Sequence, residues 1–187
     1  MSTPMTDPAA ARTFRVAEPV DGPAIVELVE SAYRGDASRA GWTTEADLLG
    51  GQRTDLEAVH ELIRADDSQI VLLLVDGEPV ACCHLALERA DTAYLGLFAV
   101  RPDAQGRGLG SAVVAEADRR ARAWGASRLR MTVISARSDL LAWYHRLGFA
   151  PTGATEPFPY GDERFGIPAV PDLEFLVLER AVTRGPI

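Results

Sequence analysis

Two segments of this 187-residue chain have residue types at spacings that can do chemistry. The first runs Leu97-Phe98-Ala99-Val100-Arg101-Pro102-Asp103-Ala104-Gln105-Gly106-Arg107-Gly108-Leu109-Gly110-Ser111. An apolar strand meets Pro102, which blocks its continuation, and glycines then let the backbone bend tightly before a helix begins. Such a turn aims several main-chain N–H groups at one spot, and the helix N-terminus adds positive partial charge, so a pyrophosphate can be held without a lysine. An ordinary strand-to-helix turn with glycine used for sterics alone is the plainer alternative. A dinucleotide fingerprint does not fit, because Gly106-x-Gly108 is followed by Ser111 where glycine is required, and the next strand ends Ile134-Ser135-Ala136 without the ribose-binding acid. A Walker loop needs a lysine, and all 19 basic residues here are arginine.

The second segment is Tyr144-His145-Arg146-Leu147-Gly148-Phe149, at the end of a helix whose stripe is Leu140, Tyr144 and Leu147. A phenol there can donate a proton, or it can be core packing, the commoner fate of an aromatic on a helical stripe. Cys82 and Cys83 are adjacent, so on a strand they face opposite ways and form no disulfide framework. Mid-strand and in apolar company, they read as inert core residues.

The elements that must position these groups can be read from periodicity. The N-terminal segment 1–12 has no pattern and is expected to fray, with one domain over 13–180 and a tail at 181–187. A short strand at Phe14–Ala17 precedes a helix capped by Asp21 with a stripe of Ile25, Leu28, Val29 and Ala32. Gly35–Arg53 reads as an irregular binding loop, and Thr54-x-x-Glu57 as a capping box for a helix through Ile63. Strands follow at Gln69–Val75, Val80–Leu87 and Ala93–Val100, the first two joined by a hairpin turn at Asp76-Gly77. A helix to Trp124, a strand at Arg128–Ile134, a helix capped by Ser138, and strands at Phe149–Thr152 and Leu173–Leu178 complete the chain.

Composition bounds the function classes. Nineteen basic and 27 acidic residues give a net charge of −8, which opposes binding to a nucleic-acid backbone. The absence of lysine excludes Schiff-base catalysis, and the absence of asparagine excludes N-glycosylation acceptors. Met1–Phe14 lacks the apolar stretch of a signal peptide and no run is long enough to span a bilayer, so no membrane association and a cytoplasmic location are expected.

With both motifs in view, the chain resembles the GNAT superfamily of acetyl-CoA-dependent N-acetyltransferases. Gln105, Gly108 and Gly110 meet the pattern Gln/Arg-x-x-Gly-x-Gly/Ala, and Tyr144 to Phe149 meets Tyr-x-x-x-Gly-Phe, in the right order with one helix and one strand between. The resemblance spans nearly the whole chain. It implies a mixed α/β fold, a central mixed sheet of about six to seven strands flanked by helices, with a splayed parallel pair formed by 93–100 and 128–134. It also implies acetyl-CoA as co-substrate and no metal. Main-chain groups of Phe98, Ala99 and Val100 are expected on pantetheine, and those of Gln105, Gly106, Arg107, Gly108, Leu109, Gly110 and Ser111 on pyrophosphate. Arg107, or one of Arg119, Arg120, Arg122, Arg128 and Arg130, can meet the 3′-phosphate, unless that cluster is a solvated face. Where many relatives have asparagine stands Arg137, which either reaches a CoA phosphate or lies on the surface.

The resemblance makes Tyr144 the acid for the departing sulfur and leaves the base open, because Tyr94 stands where some relatives carry glutamate. Losing a proton from an amine of pKa about 10.4 costs roughly 4–5 kcal/mol at neutral pH, against about 2 for the thiol, so deprotonation is the harder half. Glu88, Glu45 and His84 are the candidates, Glu88 first, although each reads equally as a solvated or satisfied side chain. The acceptor wall is expected from 41–53 and 156–171, with Trp42, Glu45, Phe158 and Tyr160 as substrate-binding residues. The reading is acetyl transfer to a small-molecule or peptide primary amine by direct attack in a ternary complex. A non-catalytic acyl-CoA-binding or sensor domain is the alternative, and a protein-N-terminus acetyltransferase a third. Oligomeric state, a homodimer included, is left open. NAD and ATP are expected to stabilise the protein less than acetyl-CoA at matched concentration in a thermal shift assay, and a larger shift from either nucleotide overturns the cofactor reading.

Overall fold

The apolar alternation of the strands and the single stripes of the helices are met by a sheet with helices on both faces. The computed structural model describes residues 11–183; segments 1–10 and 184–187, which hold most of the expected fraying segment and the end of the tail, lie outside the described residues. In chain order come β1 (Arg12–Val16), α1 (Gly22–Tyr33), α2 (Gly35–Arg39), β2 (Leu49–Gly50), α3 (Leu56–Arg64), β3 (Ser68–Val75), β4 (Glu78–Arg89), β5 (Thr92–Val100), α4 (Leu109–Ala123), β6 (Arg128–Ile134), α5 (Ser138–Arg146), β7 (Ala150–Pro157), β8 (Ile167–Pro168) and β9 (Glu174–Ala181). Seven strands form one mixed sheet in the order β1-β3-β4-β5-β6-β9-β7, and β2 pairs with β8 apart from it. No helix among the described residues is long and apolar enough to cross a membrane.

β3 shows how the sequence builds two cores. Val71 and Leu73 face one side, toward α4 and α5, with Cys83, Leu85, Leu129, Met131, Val113, Tyr144 and Phe149. Ile70, Leu72 and Leu74 face the other, toward α1 and α3, with Ile25, Leu28, Val29, Val59 and Cys82. The adjacent cysteines thus enter opposite cores, as strand alternation requires. The α1 stripe at Ile25, Leu28, Val29 and Ala32 is buried throughout.

Several boundaries differ from the sequence reading. Gly35–Arg53 is not wholly irregular, since it contains α2 and β2. The cap of α3 is Asp55, whose carboxylate accepts from Ala58 N at 2.8 Å, one residue beyond the expected Thr54. Similarly, Arg137 occupies the N-cap position of α5, and Ser138 is the first helical residue. Prolines broke the pattern near the C-terminus: β7 extends to Pro157 because a register shift between Pro151 and Thr155 lets the strand bulge and resume. Asp55→Ala is expected to lower the thermal midpoint by about 2–4 °C, with Thr54→Ala lacking that capping component, as checked by calorimetric unfolding of both variants.

Candidate active site

The site begins where two parallel strands stop pairing. β5 and β6 are in register only at Thr92↔Arg128, Ala93↔Leu129 and Tyr94↔Arg130. Beyond that, β6 stays paired with β9 along its whole length, whereas β5 follows β4 through a bulge between Cys82 and His84. Leu97 sits in this bulge at φ +43°, a left-handed conformation uncommon for a branched residue and the kind of strain found at functional sites. The gap leaves one edge of β5 without a strand neighbour.

On one side of the gap lies a cleft of about 350 Å³. Its walls include Phe98, Ala99, Val100, Gln105, Gly106, Gly108, Leu109, Gly110 and Ser111, all expected from the sequence, together with Trp42, Arg137, Trp143 and Arg146. Gly106 and Gly108 take φ of +77° and +74°, which glycine adopts without strain. Among the described residues, the first N–H after this turn to find a main-chain acceptor is that of Ala112, on Gly108 O at 3.1 Å. The preceding N–H groups of the helix start are therefore free for an anion. Gln105 clamps the turn: its Nε2 donates to Val100 O at 3.0 Å and its Oε1 accepts from Trp42 N at 2.9 Å. The hydroxyl of Tyr33 donates to Phe98 O. Both β5 carbonyls expected on pantetheine thus already hold one donor, and a ligand amide has their second lone pair.

On the other side lies a chamber of about 550 Å³, which shares Tyr33, Phe98, Arg137 and Leu140 with the cleft. Tyr144 lines the chamber, packed edge-on against Phe98, Trp143 and Phe149. The residue is only 3% exposed, and its hydroxyl makes no hydrogen bond to a described residue. Burial raises its pKa well above the ordinary phenol value, so it stays protonated across the neutral and mildly alkaline range.

The expected bases separate. Glu88 lines neither cavity, because Arg130 Nη1 holds it at 3.2 Å on the outer rim of the sheet. Glu45 lines the chamber but is fixed between Arg34 at 2.7 Å and Arg137 at 2.9 Å. Desolvation would raise its pKa, but Arg53, Arg137 and Arg34 outweigh it and hold the carboxyl below its usual range. His84 lines the chamber and is kept neutral by burial, which pushes its pKa down to about 4. The single Ser68 hydroxyl proton goes to Leu62 O at 2.8 Å, so the 2.9 Å contact between Ser68 and His84 Nε2 is donated by the ring. Nδ1 therefore carries the lone pair.

Other expected residues are redistributed. Arg137 is not on the surface: it is 4% exposed, bonded to Glu45 and to Thr43 Oγ1, and borders both cavities. Arg107 does not line the cleft; its carbonyl accepts from Arg12 Nη2 at 3.4 Å. Arg119 and Arg120 pair with Glu116, Arg128 with Glu179 and Arg130 with Glu88 and Glu156, which spends those arginines on ion pairs outside the cleft, while Arg146 of α5 reaches the cleft instead. Trp42 stands on the cleft side beside Trp143, with ring centroids 6.2 Å apart, and does not line the chamber. Phe158 lines the chamber, whereas Tyr160 stands outside it, accepting from Leu173 N at 2.7 Å. Tyr33, Arg34, Arg53, Trp143 and Arg146 were not legible from spacing. Tyr33 closes α1 one position beyond its apolar stripe, Arg34 and Arg53 sit in segments without periodicity, and Trp143 and Arg146 lie off the Leu140–Tyr144 stripe of α5.

Comparison with known proteins is decisive at this point. The family model described as "Acetyltransferase (GNAT) family" matches residues 25–149. The chain belongs to the GNAT acetyltransferase family. No curated protein sequence gives a match. Among solved structures, this GNAT chain is similar to the ribosomal-protein-S18-alanine N-acetyltransferase of Escherichia coli, with TM-score 0.65, 17% identity, and 94% and 97% of the two chains covered. It is also similar to Ard1 of Thermoplasma volcanium, with TM-score 0.67, 19% identity, and 93% and 99% covered. A third likeness is to a Salmonella typhimurium protein described as an acetyltransferase and solved with its cofactor acetyl-CoA, at TM-score 0.65, 20% identity, and 95% and 97% covered. At these identities the likeness shows the GNAT fold, with its splayed parallel pair at β5 and β6.

The charge cluster gives a pH prediction. Because the Glu45 pKa is lowered on folding, its contribution to stability is present above the unfolded value and is lost as pH falls through the folded one. Urea unfolding of the parent is expected to weaken below the ordinary glutamate value of 4.5, and Glu45→Gln to be less stable at neutral pH with that acid-side component removed.

Proposed function

We propose that this protein transfers the acetyl group of acetyl-CoA to a primary amine by direct attack, with the CoA arm in the cleft beside β5 and the amine in the chamber beyond the gap. The observation that carries this reading is the continuity of an unpaired strand edge, a glycine turn with free N–H groups and a buried, unspent phenol. The fit to CoA is physical: the free edge suits an extended amide chain, the turn suits a pyrophosphate, and Arg146 supplies a cation at the same cleft. Bound acetyl-CoA supplies a thioester carbonyl, at which the new C–N bond forms as the C–S bond breaks.

The chain's own residues handle the protons. Tyr144 holds a proton on its hydroxyl oxygen for the leaving sulfur, and its raised pKa keeps that proton available. His84 lines the same chamber and keeps a lone pair on Nδ1, so it is a candidate acceptor for the amine's proton, directly or through one water, where Glu88 stands on the rim. A base of pKa about 4 is weak, so the amine must lose its proton mainly to solvent, with His84 acting as acceptor and orienter. Cys82 and Cys83 line neither cavity, and burial pushes the Cys82 thiol up to about 12 and the Cys83 thiol higher still, which favours direct attack over an acyl-enzyme.

Tyr144→Phe removes one hydroxyl and keeps the ring. It is expected to retain stability and acetyl-CoA affinity by calorimetry while kcat, measured by thiol release, falls by about 10²-fold or more. Unchanged kcat from pH 6 to 10 would return Tyr144 to a packing role.

A further inference from the structure

The chamber that Tyr144 lines carries more positive charge than the carboxylates of the described residues neutralise. Arg34, Arg53 and Arg137 all line it, and Glu45 is the one carboxylate set among them. Glu156 also borders the chamber, but it is spent on Arg130. Arg34 and Arg137 are 7% and 4% exposed, and Arg34 Nε, Arg34 Nη2 and Arg137 Nε have no hydrogen-bond partner among the described residues. Arg53 is half-buried, forms no ion pair among the described residues, and lies over one face of Tyr33, 5.4 Å from the ring centroid. Arg137 lies 5.7 Å from the same centroid.

Buried guanidinium groups short of acceptors are costly unless an anion completes them. A bare ammonium entering this chamber meets like charge, whereas a molecule carrying an oxyanion beside its amine is attracted by one end and presented by the other. Building on the acetyl-transfer reading above, we infer that the acceptor is a small amino acid or similar amino-carboxylate, its carboxylate held by Arg53 in the field of Arg34 and Arg137. A protein N-terminus does not meet this requirement, because its α-carboxyl group is consumed in a peptide bond. Phe158, Phe165 and Phe175 on the same chamber suit an apolar side chain on that molecule. The arginines serve the reaction as well: like charge nearby lowers the pKa of an ammonium and raises the fraction of neutral amine.

The test compares L-phenylalanine, L-phenylalaninamide and phenethylamine as acceptors with the full chain and acetyl-CoA, followed by thiol release, and the same set in other apolar side chains. Amino acids are expected to exceed their amides and decarboxylated amines in kcat/KM by about tenfold or more, as expected for a charge-assisted hydrogen bond. Arg53→Gln, which breaks no ion pair of the fold, is expected to erase that preference while acetyl-CoA affinity stays at the parent value. Amides or simple amines accepted as well as the amino acids, or a preference untouched in Arg53→Gln, would overturn the inference. Calorimetric binding of the amino acids, scored against the amides in the absence of acetyl-CoA, judges the carboxylate site independently. Failure of acetyl-CoA itself to bind strikes the transfer reading instead.

Discussion

Everything at this site follows from one conflict of pairing. β5 cannot follow β4 through the Leu97 bulge and also stay in register with β6, which is tied to β9 along its whole length. After three pairs the strands part, and main-chain groups that would have been satisfied within the sheet face a cleft. The Phe98 and Val100 carbonyls there are met by the Tyr33 hydroxyl and the Gln105 amide, and each keeps a lone pair for a ligand. The gap is thus a binding feature made by the sheet itself, and the Gly106–Gly108 turn at its end continues the same principle with N–H groups.

The bulge also accounts for the interlock between the two cavities. Phe98, just past Leu97, borders both and is fixed by the hydroxyl of Tyr33 at its carbonyl and by the tilted ring of Trp143 and the edge-on contact with Tyr144 at its ring. Tyr33 in turn lies under Arg53 and Arg137, so the end of α1 and the start of α5 meet at one aromatic plate. Motion of either helix would be felt in both cavities.

The Arg34–Glu45–Arg137 cluster is the other structural commitment. It joins α1, the loop after α2 and the start of α5 across 92 residues of sequence between Glu45 and Arg137. Buried ion pairs contribute little net stability against well-packed apolar groups, while loss of one partner costs roughly 3–5 kcal/mol. Such a cluster is better understood as fixing the geometry of the wall between the cavities than as a source of stability. Two cations for each carboxylate also sets the electrostatic character of the chamber.

The sequence by itself determined most of the strands and helices and the glycine turn, because these depend on local rules, while Tyr144 stood out only through the family motif around it. Alternation at Ile70 to Leu74, the stripe at Ile25 to Ala32, proline ending β5 and glycine beginning α4 are all written within a few residues of one another. Only the tertiary structure decided which charges share a chamber. Glu88 and Glu45 look alike along the chain, but a cross-strand arginine draws one to the rim and two arginines from distant elements bury the other. His84 looks like an ordinary strand histidine until Ser68, 16 residues away, fixes its tautomer. Arg34, Arg53 and Arg137 carry no periodic signal, since a charge's role depends on what folds against it. Pairing of distant side chains is a long-range fact, and spacing along one chain encodes only the short-range ones.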